Sequence, residues 1–559
     1  MEHNISVNEA ALRTGKSVAT VRRLLAAGKL SGEKIGGHWV VHADRLPSSP
    51  AGPSVSASGP KLDSRAAIRF LMKTDRKELW IPDVLNWEDV RADPSSAISV
   101  ATGKCSTGQA DPFETVEVPK GPLLSRAGVL LSFEDRLAYQ MLCAVVAPQI
   151  DAVLAERVFS SRLNKRPGSF FVSPFNQYKL FIETVETVAG STKWVVSTDL
   201  VSYFETISHE LLFEDLRDLR VRDEIMRPLR LLLGSWRRAS RTGLPVGPDA
   251  SRLLGNFFLN KIDQQMLEEG FDYYRYMDDV RIVVSSEREG RAALRRFEVL
   301  CRARGLIVTG TAKSKIEKSD PDSRVKDDAQ FEWIEYAMRN SLDESRKVLR
   351  EMFSDALSEK VVKRRHARFA LIRLGKLVDR RVLAKVLRRL EELSEVSKDS
   401  VYYLRSFISE RHVQTAITKY LERPEEPGLE KYQEAWLIAV MLEVLNAPPA
   451  EWISYARRIA WDANQPTYLR NLAFNLVALG HDPRDIERIV EIAESNYESS
   501  LVRGAIVALA RVQKFSRRTQ GSVLARHPAL KGTVEYLKQR RSLPSLVQEG
   551  LWNTIKSAP

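Results

Sequence analysis

The sequence is poor in cysteine, in long apolar runs and in negative charge. Three cysteines occur in 559 residues, Cys105, Cys143 and Cys301. They lie far apart and without metal-ligand spacing, so neither a disulfide framework nor a zinc site is expected, and a reducing compartment fits. No apolar stretch approaches the roughly 20 residues that span a bilayer, and the N-terminal MEHNISVNEA lacks the apolar core of a signal peptide. The expectation is a cytoplasmic protein with no membrane partner.

Lys and Arg number 85 against 72 Asp and Glu, a formal net charge of +13. Such a balance suits a polyanionic partner such as nucleic acid, the alternative being an ordinary soluble protein with a basic surface. With 44% hydrophobic and 28% charged residues the chain reads as folded rather than disordered. Its length exceeds what one core usually organises, so three or more domains are expected.

Residues 1–46 read as a compact unit. Ser6 and Glu9 form a capping box that opens a helix through Leu12, and a second helix from Ser17 turns Val21, Leu24 and Leu25 inward until Gly28 ends it. The stretch EKIGGHWVV then reads as a strand pair around a Gly36-Gly37 turn. VNEAALRTGKSVATVRRLLAAGKL followed by GGHWVV resembles the winged helix-turn-helix of excisionase and MerR-type DNA-binding proteins. That resemblance implies that Thr20, Arg22 and Arg23 face a DNA major groove, with Lys34 and His38 on the wing near phosphates. A protein-interaction module is the alternative.

PSSPAGPSVSASGP, residues 47–60, is a flexible linker by composition. Residues 61–335 mix short apolar strands with amphipathic helices, as in an α+β domain. Over residues 340–559 strand signals vanish. Helical stretches such as RFALIRLGKLV, EAWLIAVMLEVL and YLRNLAFNLVALG each bury one face. Stacked helix pairs resembling HEAT-type repeats fit this pattern, and so does an ordinary helical bundle.

DYYRYMDDVRIVV, residues 272–284, places Asp278 and Asp279 at the tip of a strand hairpin. Asp is a common turn former, so the pair alone is ambiguous. A third carboxylate, Asp199, ends the apolar strand of WVVSTDLVSYFETI, residues 194–207. Two strand ends can then converge on one site of hard oxygen ligands, the kind that holds Mg²⁺ for phosphoryl transfer.

The order of these segments resembles the reverse-transcriptase palm over roughly residues 115–335. LLSFEDRLAYQML (130–142) and FSSRLNKRPGSF (159–170) are similar to the fingers motifs that precede it. The resemblance implies two Mg²⁺ ions, with Mn²⁺ as a substitute, held directly by Asp199 and Asp278, more weakly by Asp279, and with Leu200 in the metal set. It gives Arg162 a contact with template or triphosphate and leaves Arg136 structural. GLPVGPDAS (243–251) looks like the Leu-Pro-Gln-Gly loop that positions template and nucleotide, with Pro245 and Gly247 at the substrate. Val246 stands there in place of the usual Gln, and Arg252 in place of the Pro that often follows the Ser. Phe204 occupies the place of a steric gate against a ribose 2′-hydroxyl, and Tyr203 beside it reads as core. Within RRFEVLCRARGLIVTGTAKSKI (295–316), Lys313 would act on the leaving pyrophosphate, with Lys315 as the alternative.

A palm followed by helices resembles the bacterial abortive-infection and defence-associated reverse transcriptases. That implies a polymerase that takes dNTPs and an RNA template, such as a non-coding RNA, makes DNA, and serves in anti-phage defence. It leaves untemplated synthesis open. A retron-like or intron-derived enzyme copying a cognate RNA is the second reading, and a DNA-binding regulator with a non-catalytic palm the third.

Overall fold

The computed structural model describes residues 4–6, 21, 24–25, 28–35, 38–42, 62–121, 124–166, 168–236, 241–310, 313–319, 334, 338, 342–358, 362–423, 431–444, 447–540 and 542–548. Near the N-terminus β1 (Asn4–Ser6), β2 (Gly32–Ile35) and β3 (His38–His42) form an antiparallel sheet in the order β1-β3-β2. β2 and β3 are the expected strand pair, with Ile35 opposite His38. The sequence reading does not foresee β1. Ser6, read as opening a helix, ends a strand in which Ile5 pairs with Val41, because the open edge of β3 offers backbone partners to a short extended segment. Val21, Leu25 and Val41 are buried. Thr20, Arg22 and Arg23 lie outside the described residues, and Lys34 is described as a strand position only.

The second unit is organised around the long helix Phe133–Val153. Ser132 caps it by accepting from the Asp135 N–H at 3.1 Å, and Leu137, Ala138, Tyr139, Met141 and Leu142 are buried on successive faces. A helix apolar nearly all round must be surrounded, and helices Ser64–Lys73, Ser95–Thr107, Asp223–Ser235 and Asp249–Phe258 enclose it. Arg136 on it is buried and pairs with Asp75 at 3.4 Å, a structural role as expected. A hairpin of β4 (Glu114–Lys120) and β5 (Leu124–Leu130) stands before the helix.

Four antiparallel strands, β6 (Trp194–Thr198), β7 (Asp272–Tyr276), β8 (Asp279–Val284) and β9 (Lys315–Lys318), form the central sheet in the order β7-β8-β6-β9. Alternation along the strands divides its faces. Val196, Tyr273, Val280, Ile282 and Val284 join the core with helix Glu287–Ala303. Val283 and Tyr274 point the other way, onto Phe181 and Val185 of helix Pro174–Ala189.

From Leu342 to Gln539 every described element is a helix, joined by turns, and no strand occurs among the described residues. Helices Arg364–Lys376, Ser397–Leu404, Lys431–Met441, Thr467–Ala478 and Ser499–Arg511 pack each on the next. Polar ties recur at a similar offset: Arg350 to Asp379, 29 residues on; Arg368 to Asp399, 31; Arg380 to Glu410, 30; and Arg457 to Asp485, 28. This helical unit shares its core with Ile81, Val84, Leu85, Val116 and Val118, so the β4–β5 hairpin and the segment before it are packed into it. Arg503 clamps both Asp83, at 2.6 Å, and Asp89, at 3.0 Å. The Glu114 carboxylate accepts from the N–H groups of Thr467 and Tyr468, at 2.6 and 3.2 Å, capping a helix whose preceding Pro466 offers no side-chain acceptor.

Candidate active site

Thr198, the last residue of β6, lies opposite Val280 of β8. One further step along that register brings Asp199 level with Asp279. Tyr276 pairs with Asp279, so Met277 and Asp278 form the two-residue turn between β7 and β8. Geometry thus gathers the three expected aspartates at one end of the sheet.

The turn is strained, because Met277 has φ 55°, a left-handed conformation costing a residue with a side chain about 1–2 kcal/mol. Both of its backbone groups are held. The Met277 N–H donates to Ser160 Oγ at 2.8 Å, and its carbonyl accepts from Arg275 Nη1 at 2.8 Å. Arg275 is fully buried, and its guanidinium also donates to Asp263 Oδ1 at 2.7 Å, Asn256 Oδ1 at 2.8 Å and the Asn256 carbonyl at 3.1 Å. Sequence reasoning passed over this strut. Its signal was an arginine in the middle of an otherwise buried strand, a charge that demands partners.

Asp199 and Asp278 come within hydrogen-bonding reach of one another. Burial, then the neighbouring Asp199, pushes the Asp278 carboxyl up to about 7. Asp279 instead pairs with Arg281, which lies two residues along on the same face of β8. Among the described residues no three His, Cys, Asp or Glu side chains form a group that could hold a metal. The Asp199–Asp278 pair nonetheless suits a divalent cation: its oxygens are hard donors, and the charge that burial and Asp199 make costly on Asp278 is charge a cation would neutralise. Leu200, expected in the metal set, is buried, bridges to Val308, and its N–H donates to Asp199 Oδ1 at 2.9 Å.

Lys313 reaches Asp199 Oδ2 at 3.3 Å from a turn that Ser314 fixes against Thr198 Oγ1 at 2.7 Å. Lys315, the alternative, pairs with Glu317 at 3.6 Å on β9. Lys313 is therefore the lysine at the carboxylates. Phe204 is partly buried against helix Asp249–Phe258, where a Cβ on Gly255 would come within 3.1 Å of its ring. Tyr203 is buried, as expected, and its hydroxyl donates to the Gly255 carbonyl. The Leu244 N–H donates to the Phe204 carbonyl at 2.8 Å, so the loop bearing Pro245 and Gly247 lies beside Phe204. Gly247 has φ 120°, which explains a glycine there.

Arg162, expected at template or triphosphate, is turned toward the end of helix Phe133–Val153. It donates to Asp151 Oδ1 at 2.9 Å and to the carbonyls of Ala155 and Val158 at 2.8 and 3.2 Å, closing that end.

The raised Asp278 carboxyl has a consequence for stability. The folded protein keeps a proton there up to about pH 7, whereas the unfolded chain releases it near 3.8. Within that window the native state binds more protons, so stability falls as pH rises from about 4 to about 7. Asp75, pushed up to about 7 by burial and then by Asp249, adds a decline of the same sign. Melting temperature measured without divalent cation should therefore drop across this window. Adding Mg²⁺ at pH 8 should recover the Asp278 share, on the order of 1–2 kcal/mol after solvent screening, and nothing of it in Asp278→Asn.

The family model described as Reverse transcriptase (RNA-dependent DNA polymerase) matches residues 137–332. Protein YkfC of Escherichia coli (strain K12) is 36% identical over 91 residues, 15% of this chain and 24% of that protein. The chain thus matches about a quarter of the length of that relative. The match to the family covers β6 to β9 with Asp199, Asp278, Asp279 and Lys313, so residues 137–332 of this chain are a reverse transcriptase domain, a nucleotidyltransferase by class.

Proposed function

We propose that the chain polymerises dNTPs into DNA on an RNA template, by metal-assisted phosphoryl transfer, in bacterial anti-phage defence. The observation that carries the catalytic part is the meeting of Asp199 and Asp278 at the ends of two paired strands, with Lys313 beside them. Two Mg²⁺ held there, with Asp279 and Leu200 near, would activate the primer hydroxyl and stabilise the pyrophosphate leaving group. Lys313 supplies positive charge where charge develops on the departing phosphates. The strut at Arg275 and Ser160 fixes the turn and keeps Asp278 in place without reorganisation.

Phe204 is the residue that reads the sugar. A ring held on one side by Gly255 has little room to yield to a 2′-hydroxyl. Phe204→Ala is expected to lower the preference for dNTP over rNTP by on the order of 10–100-fold, read as the ratio of the two kcat/KM values. Unchanged discrimination removes the gate assignment.

The defence role rests on the palm being followed by helices from Leu342 to Gln539 that enclose its N-terminal segments. No helix among the described residues is long and apolar enough to cross a membrane, and cytoplasmic action is part of this reading. The first three strands would support a helix-turn-helix that presents Thr20, Arg22, Arg23 and Lys34 to double-stranded DNA. Pretreating the purified protein with RNase before adding labelled dNTPs tests the template: loss of product indicates a bound RNA, and undiminished product indicates untemplated synthesis. Phage challenge of cells carrying wild type or Asp278→Asn tests defence, and equal protection by both would remove it.

A further inference from the structure

Two residues depart from the family's loop pattern, Val246 and Arg252, and both meet the same short segment, Asp75–Trp80. The Trp80 indole Nε1 donates to the Val246 carbonyl at 3.0 Å. Arg252 pairs with Glu78 and, at 2.7 Å, with Asp249, whose own N–H donates to Asp75 Oδ1 at 3.3 Å. The segment is in turn gripped from the helical unit. Trp436 Nε1 donates to the Trp80 carbonyl at 2.9 Å, and Lys398 Nζ donates to the Lys77 carbonyl at 2.6 Å while lying over the Trp436 ring. Trp80 also presses on the β4–β5 hairpin, where a Cβ on Gly128 would come within 3.0 Å of its ring. Trp80 therefore touches the β4–β5 hairpin and the Val246 loop with its indole, and the helical unit with its backbone carbonyl.

We propose that Trp80 and Trp436 are positioning residues, through which the helical unit sets the place of the Leu244–Gly247 loop against the incoming nucleotide. This rests on the polymerase reading. The loop is short of internal anchors: Pro245 and Pro248 have no N–H, so the Val246 carbonyl bond to Trp80 is one of few ties that fix it. A change at Trp436 reaches Val246 by way of the Trp80 backbone, so the helical unit acts on the loop through another residue and touches no substrate.

The test uses the full-length chain with Trp80→Phe and Trp436→Phe, which keep an aromatic ring and remove the N–H. One lost hydrogen bond predicts roughly tenfold faster amide exchange at Leu244, Val246 and Gly247 in both variants. It also predicts a rise in KM for dNTP of similar size with kcat changed less than about twofold, and a fall in melting temperature no larger than one lost hydrogen bond and a smaller buried ring produce. Unchanged exchange and KM in Trp436→Phe overturns the proposal. So does a variant that is largely unfolded under the assay conditions, or whose amide exchange rises equally throughout the chain, since that assigns the indoles to folding instead. Amide exchange needs no catalysis, so a wild type that makes no DNA removes the polymerase reading while leaving the coupling to be decided by exchange.

Discussion

Asp278→Asn is expected to lose nucleotidyl transfer by on the order of 10³-fold or more while melting at a higher temperature than wild type in the absence of divalent cation. The two effects share one cause. Asp278 is crowded by burial and by Asp199, which makes its charge costly in the empty site and valuable to a cation. An amide of the same shape removes the repulsion and with it the ligand. Parallel melting curves and initial rates at pH 8 check both halves. A variant both inactive and less stable than wild type contradicts the crowding argument, and an active one contradicts the site.

Arg275→Met should carry the largest structural penalty in the palm. It leaves Asp263, which is entirely buried, without its counter-charge, and breaking such a pair costs about 3–5 kcal/mol. It also frees the Met277 carbonyl, so the strained turn that carries Asp278 loses one of its two holds. Activity should fall beyond what the loss of folded protein explains. Urea denaturation gives the stability change. Arg275→Met with Asp263→Leu should recover part of it, because replacing both partners by apolar groups avoids the lone buried charge. Activity should not return in the double variant, since nothing restores the bond to Met277. A single variant as stable as wild type would mean that the strut is dispensable.

Much of the site was legible in the sequence because its signals are local. An apolar strand ending in Asp199, an Asp pair between two strands, and Lys313 after a glycine and a strand need only period and spacing to be seen. β1 was missed because a three-residue strand has no period and exists only by pairing with β3. Arg162 reads only as a motif position, because the carbonyls it bonds at the end of a helix are not placed beside it by the sequence. Val246 and Arg252 looked like departures without a reason. Their partners, Trp80 and Glu78, lie 166 and 174 residues away, and no local pattern links them. The helical region shows the same limit: its residues carry no strict period, and ties such as Arg350 to Asp379 and Arg368 to Asp399 join residues about a helix pair apart that no local pattern links.

The most direct test of the account is to incubate purified protein with labelled dNTPs and Mg²⁺, supplying an RNA template with a DNA primer, and to follow label into DNase-sensitive polymer. Product is expected from wild type, none from Asp278→Asn, and none when the divalent cation is chelated. Equal incorporation by wild type and Asp278→Asn, or none by wild type with any primer and template, would contradict it.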